Sequence, residues 1–175
     1  MKLANGPTLL TVKDIAERIS YDRSEDGLAR TLRQVRHWTQ NDLLETISEK
    51  NTGKGVPRFY DYHSSLIIAG ILLELSRYGA TVDILKPVAD NLYESFEDDR
   101  SQYMLWQEMD ENSYLQVAWN TDPSSGRFMD AVMHMFDDLD KGYSGNELMS
   151  EPTSSVVINM SKLRERIFPG DTYAT

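Results

Sequence analysis

The amino-acid sequence predicts a mainly α-helical fold with a small amount of β-structure, divided into two parts of different charge. Apolar residues recur at helical spacing through most of the first half, whereas short runs in the second half alternate as strands do. Residues 1–80 hold 11 Lys and Arg against 10 Asp and Glu, and residues 81–175 hold 7 against 18. With 175 residues, 40% of them hydrophobic, the chain can form one ordinary domain or a small domain with an extension.

Composition excludes several classes of function. The chain contains no cysteine, which removes disulfides, thiolate metal sites and iron–sulfur clusters. Its three histidines lack metal-binding spacing, and there is no phosphate-binding glycine loop or nucleophilic serine elbow. We therefore expect no enzymatic activity, metal or cofactor. The longest apolar stretch, 66–75, is about half a membrane span, and no signal peptide is visible, so we expect a cytoplasmic protein without a membrane partner.

The first helix is predicted to begin after Thr11. The Thr11 hydroxyl can cap a free backbone N–H, and Asp14 can reach back to complete a capping box. An apolar stripe at helical spacing follows: Val12, Ile15, Ala16 and Ile19. Residues 20–27 are polar and rich in turn formers, so they predict a loop.

A second helix is predicted from Leu28 to Asn41. One face carries the apolar residues Leu28, Leu32, Val35 and Trp38. The opposite face carries Arg30, Arg33, His37 and Gln40, with Gln34 and Asn41 at its edge. Arginine can bind guanine or phosphate, and Gln, Asn and His can address base edges, so the pattern suits a recognition helix. An ordinary solvated helix face has the same pattern, and both interpretations stay open.

A small hairpin is predicted next, from strand-like runs at 43–48 and 56–60. The Asn and Gly residues between them suit a hairpin tip. Lys50 and Lys54 at the tip and Arg58 on the return strand would form a basic wing beside a helix-turn-helix, with Pro57 indicating an edge strand. A plain surface hairpin is the alternative.

A third helix is predicted from Ser64 or Ser65 through Leu75, with Gly79 just beyond its end. It is apolar almost all round, which is typical of a core helix. Thr81 would cap a fourth helix, in which Pro87 falls within the first turns, where proline is tolerated.

Taken together, residues 10–92 resemble the DNA-binding domain of the MerR family of bacterial transcription regulators. The resemblance rests on the first-helix sequence at 11–17, the stretch from Arg36 to Leu44, the Arg58-Phe59-Tyr60 segment, and residues 77–86 around Gly79. It implies a winged helix-turn-helix that binds double-stranded operator DNA as a homodimer. Arg36 and Arg58 would then hold phosphates, and Tyr60 would support the wing contact.

Our DNA-binding prediction joins these residues to the charged residues of the second helix and the wing tip: Arg30, Arg33, Arg36, His37, Lys54, Arg58 and Tyr60. The chain departs from the family in three ways. Residues 20–27 look like an insertion, Asp42 stands where the family usually has glycine, and without cysteine the chain cannot sense metals or oxidants through thiolates.

We assign residues 1–92 to the winged helix-turn-helix domain and residues 93–175 to an acidic α+β dimerisation or effector region. In the latter, 114–120 and 154–160 predict strands that can pair, 128–139 shows a helical stripe, and 162–167 continues as a short helix or strand. Aromatic and Met side chains there could line a pocket for a small apolar ligand or simply form core: Tyr103, Met104, Trp106, Met109, Trp119, Met133 and Met135. The alternative function is a protein-interaction module whose acidic half engages a basic partner.

Overall fold

The computed structural model describes residues 9–47, 57–97, 113–125, 127–136 and 152–169. In these ranges the protein is mixed α/β, with five helices and two small antiparallel sheets. The chain divides into two compact units, Met1–Gly70 and Ile71–Thr175. The division falls inside the third helix. The functional boundary predicted after residue 92 stays a prediction.

The helices and strands follow in chain order. The first unit contains β1 (Leu9–Leu10), α1 (Val12–Ile19), α2 (Glu25–Gln40), β2 (Tyr60–Asp61) and the start of α3 (Ser64–Arg77). The second unit contains the end of α3, then α4 (Val82–Glu97), β3 (Tyr114–Thr121), β4 (Phe128–Phe136), β5 (Ser154–Asn159) and α5 (Met160–Ile167). Among the described residues, no helix combines the length and apolar character needed to cross a bilayer.

The start of α1 confirms the predicted capping box. The Asp14 backbone N–H donates to Thr11 Oγ1 (3.3 Å), and the Thr11 N–H donates to the Asp14 carboxylate (2.7 Å). The hydrogen bond from the Thr11 side chain holds the pKa of Asp14 below its usual range. Just before this cap, β1 pairs antiparallel with β2. The sequence did not predict β1, because two residues are too few to show alternation.

The second helix begins three residues earlier than predicted. Ser24 caps α2 by accepting a hydrogen bond from the Gly27 N–H (3.1 Å). Glu25 and Asp26 occupy the first turn, where negative charge is favourable to the helix dipole. The loop predicted over 20–27 therefore ends at Ser24, and the apparent insertion is shorter than expected.

The strand predicted over 43–48 is wrong for its described part, 43–47, which contains no strand. Leu43 and Leu44 are both buried, so their side chains do not alternate between a core and a solvent face. They follow the closure of α2, in which the Leu43 N–H donates to the Trp38 carbonyl (2.9 Å) and Asp42 takes a left-handed φ of 58°. One backbone hydrogen bond, Ile47 N–H to the Phe59 carbonyl (2.9 Å), still joins the two segments of the predicted hairpin.

The second strand of the predicted hairpin, 56–60, is strand only at Tyr60 among its described residues, 57–60. Tyr60 pairs with Leu10 of β1. The predicted hairpin tip, with Lys50 and Lys54, lies outside the described residues.

The core helix α3 forms as predicted. The Asp61 carboxylate accepts hydrogen bonds from the backbone N–H groups of His63 (3.0 Å) and Ser64 (2.8 Å) at its start. Its apolar residues are buried on all sides: Leu66, Ile67, Ile68, Ala69, Ile71, Leu72, Leu73 and Leu75. Gly79 ends it with φ 87°, and the Ala80 N–H donates to the Leu75 carbonyl (3.1 Å), which is a Schellman motif.

The second unit contains a three-stranded antiparallel sheet of order β4-β3-β5. The strands predicted over 114–120 and 154–160 are confirmed and pair with each other. The helical prediction for 128–139 is wrong, because the described part of it, 128–136, forms β4 along the length of β3. Apolar spacing is a local signal, and pairing with β3 overrides it.

A tight turn around Asp122 reverses the chain between β3 and β4 and so allows the two strands to pair. The Asp122 carboxylate accepts hydrogen bonds from the backbone N–H groups of Ser124 (2.9 Å) and Ser125 (2.7 Å), and the Asp122 N–H donates to the Arg127 carbonyl (2.7 Å). Hydrogen bonds from Ser124 and Ser125 lower the pKa of Asp122 to about 2. An ionised Asp122 therefore reverses the chain at neutral pH.

A partly buried ion pair joins α3 to α5 within the second unit. Arg166 Nη2 lies 2.9 Å from Glu74 Oε1, and their side chains are 16% and 12% exposed. Glu74 also lies 3.4 Å from Arg77. Burial raises the pKa of Glu74 and lowers that of Arg166 to about 10. Burial disfavours the charged form of each side chain, so each charge depends on the other for compensation in a region with little water.

We expect Asp42→Val to lower the free energy of unfolding by about 1–2 kcal/mol, because a β-branched residue is poorly tolerated at positive φ. Asp42→Gly should not lower it, since glycine adopts this conformation freely. Urea denaturation of the two variants and the wild type checks the difference. Equal stability of the Val and Gly variants would contradict the left-handed conformation of Asp42.

We expect Glu74→Gln to lower the free energy of unfolding by about 1–3 kcal/mol, since it leaves the Arg166 charge poorly compensated. Glu94→Gln, an exposed substitution on α4, is the matched control and should change stability by less than about 0.5 kcal/mol. Thermal and urea unfolding measure both. If both variants are as stable as the wild type, the ion pair does not hold α3 to α5.

Candidate nucleic-acid interface

The turn between α1 and α2 is fixed by buried hydroxyl groups. Ser20 Oγ donates to the Asp22 carbonyl (2.7 Å) and lies 3.1 Å from Thr31 Oγ1. Thr31 Oγ1 in turn donates to the Gly27 carbonyl within α2 (3.1 Å). Ser20 and Thr31 are both buried, so the end of α1 is joined to the first turns of α2 inside the fold. The orientation of α2 is thus set by its own first two turns.

Gly27 permits this turn because it carries no side chain. A Cβ atom at this position would lie 2.3 Å from Asp22 Cγ and 2.5 Å from the Asp22 backbone oxygen. The second contact is with backbone, which cannot move aside without shifting the turn. Gly27 therefore allows the turn to pack directly against α2.

The two faces of α2 divide by polarity. The buried residues are Gly27, Thr31, Val35, Trp38 and Thr39. The charged residues predicted to bind DNA are exposed on the other side: Arg30, Arg33, Arg36 and His37. We call these four residues the basic face of α2. Gln40 and Asn41 are also exposed, whereas Gln34, Leu28 and Leu32 are half-buried. The predicted exposure of the basic face of α2 is therefore confirmed.

The members of the basic face differ in their neighbours. Arg30 forms an exposed ion pair with Asp22 (3.3 Å), and the pKa of Asp22 is lowered first by its hydrogen bond with Ser24. His37 Nδ1 lies 3.2 Å from Asn41 Nδ2, and that amide nitrogen donates to the His37 carbonyl (2.8 Å). Within the described ranges, neither Arg33 nor Arg36 forms an ion pair with a carboxylate. The middle of the face is thus open to an anionic ligand.

Tyr60 is positioned differently from expectation. Its side chain is fully buried, and its hydroxyl lies 2.8 Å from Thr39 Oγ1. Burial raises the pKa of the Tyr60 phenol, although the Thr39 hydrogen bond and the Arg58 charge act in the opposite direction. Tyr60 therefore lies inside the fold, where it cannot touch DNA directly, and its contribution is to fix β2 against α2.

Arg58 precedes Tyr60 by two residues and is half-buried. Its charge acts on the Tyr60 phenol, which itself contacts Thr39 of α2. Arg36 is exposed on α2. Lys54, the remaining predicted DNA-binding residue, lies outside the described residues.

The sequence analysis did not single out Arg18, a charged residue of the first unit. Arg18 on α1 donates a hydrogen bond to the Tyr62 hydroxyl (3.1 Å), and its guanidinium carbon lies 5.0 Å from the Tyr62 ring centroid. This cation–π contact connects α1 to the segment between β2 and α3. The two residues are 44 positions apart, and no local pattern predicts a pair at that separation.

The structure describes three of the seven residues predicted to line an apolar pocket. Trp119 is buried on β3, Met133 is half-buried and Met135 is 37% exposed on β4. The other members of the set, Tyr103, Met104, Trp106 and Met109, lie outside the described residues. A ligand pocket in this region stays a prediction.

The described residues contain no group of three or more His, Asp or Glu side chains that could hold a metal ion. Comparison with known families finds no matching family model, and comparison with curated proteins finds no match. The resemblance to MerR regulators therefore stays a prediction that rests on the motifs of this sequence.

We expect Gly27→Ala to lower the free energy of unfolding by about 1–3 kcal/mol, because the added methyl group meets the Asp22 backbone. Helix propensity alone would predict a gain of about 1 kcal/mol from this substitution. Arg33→Ala on the exposed side of α2 is the control and should be nearly neutral. A stabilised Gly27→Ala variant in urea denaturation would refute the close packing of this turn.

Proposed function

We propose that this chain is a sequence-specific, MerR-like transcription regulator that acts in the bacterial cytoplasm and binds operator DNA as a homodimer. One observation carries the proposal: the basic face of α2 is exposed along a helix whose opposite side is buried. A helix of this kind can enter the major groove while its buried side holds it on the domain. In this proposal α1 and α2 form the helix-turn-helix, and the segment around Arg58 belongs to the wing.

The residues of the interface have separate roles in this proposal. Arg36 and Arg58 hold the DNA backbone through phosphate contacts. Arg33 and His37, in the middle of the exposed side, read base edges. Lys54 adds a phosphate contact from the wing tip. Tyr60 acts indirectly, since its contact with Thr39 fixes the strand that carries Arg58.

Acidic side chains restrict how α2 can approach DNA. Asp22, Glu25 and Asp26 are all exposed at the amino end of the helix, where they repel phosphates. Arg30 forms an ion pair with Asp22. The middle and carboxyl end of α2 are therefore the part that faces DNA, and Arg30 contributes least to DNA binding among the four residues of the basic face.

The acidic second half of the chain favours a second candidate function. A protein-interaction module on a winged-helix scaffold would use this half, with 18 Asp and Glu against 7 Lys and Arg in residues 81–175, to engage a basic partner. Under this alternative the basic face of α2 is an ordinary solvated surface.

We expect Arg36→Ala and Arg58→Ala to weaken binding to all DNA sequences alike and to reduce the slope of log affinity against log salt by about one each. Arg33→Ala and His37→Ala should instead relax base preference, at a cost of about 1–3 kcal/mol for the preferred site. Arg127→Ala, an exposed substitution in the β3–β4 turn, is the control. The measurement is selection of operators from a random DNA pool, followed by titration at several salt concentrations.

Two results would count against the proposal. If all four variants bind the selected operator as well as the wild type, the basic face is not the DNA-binding surface. If the wild type binds no random-sequence DNA at low salt but recovers a basic protein partner, the interaction module is the better account.

A further inference from the structure

The side chain of Asn41 folds back onto the last turn of α2. Its amide nitrogen donates a hydrogen bond to the His37 carbonyl (2.8 Å) and also lies 3.2 Å from His37 Nδ1. Both residues are exposed, and His37 belongs to the basic face of α2. The contact between the two side chains is therefore part of the proposed DNA-binding surface.

The His37 carbonyl determines which end of the Asn41 amide faces the helix. A carbonyl oxygen only accepts hydrogen bonds, so the amide group 2.8 Å away from it is the NH₂ group and not the oxygen. An NH₂ group carries two hydrogens. One is given to the carbonyl, and the second can be given to Nδ1 of the same residue, 3.2 Å away. Asn41 therefore presents a donor to the imidazole ring.

A donor beside Nδ1 selects one form of the His37 ring. A neutral imidazole carries its hydrogen on one nitrogen and accepts a hydrogen bond at the other. A hydrogen on Nδ1 would meet the amide hydrogen of Asn41, so Nδ1 accepts and the ring hydrogen lies on Nε2. The bond made by one ring nitrogen thus decides what the other one offers, and His37 offers an N–H donor from Nε2.

Guanine suits a single N–H donor in the major groove better than the other bases. It presents two neighbouring acceptors there, N7 and O6. Adenine places an amino group beside its N7, cytosine presents an amino group, and thymine places a methyl group beside its O4. The opposite tautomer of histidine would offer an acceptor and would suit the amino groups of adenine or cytosine. The tautomer of His37 therefore decides which base it can read.

We propose that Asn41 is a positioning residue of the DNA interface, which holds His37 in the Nε2–H form so that His37 donates to a guanine of the operator. The inference rests on the proposed function and specifies one base of the DNA that the site recognises. It also makes the basic face of α2 uniform, because arginine has donors and no acceptor. All four of its residues then address acceptors on DNA.

A helix cap is the competing account of Asn41. The residue ends α2, and its own backbone N–H also donates to the His37 carbonyl (3.1 Å). Capping accounts for the bond from the side chain to that carbonyl, but it gives no reason for the amide to approach Nδ1. A cap affects the stability of the fold, whereas a positioning residue affects the tautomer of His37 and the preference for one base.

Nitrogen NMR of the full chain without DNA tests the tautomer directly. At about pH 8, where an ordinary histidine is neutral, the wild type should show His37 in the Nε2–H form alone. Asn41→Ala should move the two ring-nitrogen signals towards those of a free mixture of tautomers. Asn91→Ala, an exposed substitution on α4, is the matched control and should leave them unchanged. A hydrogen on Nδ1 in the wild type, or unchanged signals in Asn41→Ala, would overturn the inference.

Selection of operators from a random DNA pool tests the base. His37→Gln should change the preferred base at one operator position from guanine to adenine, whereas His37→Arg should keep guanine. Asn41→Ala should lower the preference for guanine at that same position by about threefold to tenfold and leave the other positions unchanged. Asn91→Ala should change no position. Urea denaturation of each variant shows that the folded protein is compared in every case.

The outcomes separate this inference from the proposed function. If no guanine of the selected operator responds to His37→Gln, or if Asn41→Ala weakens binding without changing the preference at that position, the inference is wrong and the proposed function still stands. A wild type that selects no DNA sequence overturns both.

Discussion

The hydrogen bond between the hydroxyls of Thr39 and Tyr60 is the contact on which the arrangement of the first unit depends. Both residues are buried, so each hydroxyl needs a partner inside the protein. Thr39 Oγ1 also lies 2.9 Å from the Val35 carbonyl, so its contact with Tyr60 joins β2 to the last turns of α2. The next residue, Asp61, accepts hydrogen bonds from the backbone at the start of α3.

Left-handed backbone conformations close both α2 and α3. Asp42 occupies such a conformation at the end of α2. Gly79 performs the same closure for α3 with the same pair of backbone hydrogen bonds. Aspartate is among the few residues that tolerate this conformation, so Asp42 closes α2 with the geometry that Gly79 gives at α3. The buried Leu43 and Leu44 can therefore follow α2 directly.

Features that depend on neighbouring residues could be predicted from the sequence, and those that depend on distant partners could not. The cap at Thr11, the end of α3 at Gly79 and the exposed side of α2 all follow from local patterns. The strand β4 was mistaken for a helix because its apolar spacing fits both structures and β3 decides between them. Burial of Tyr60 was missed for the same reason, since Thr39 lies 21 positions earlier.

The Asp122 turn also has a kinetic consequence for the sheet. It joins β3 to β4 through a few residues, so the entropy lost in closing that loop is small, and hairpins of this kind form within about 1–10 microseconds. By contrast, β5 reaches β3 from far along the chain, as Trp119 pairs with Ser154. The sheet is therefore expected to assemble in two stages, and during synthesis β3 and β4 emerge and can fold while β5 is still being made. Until β5 arrives, the backbone N–H and C=O groups on that side of β3 lack the strand that pairs with them in the folded sheet.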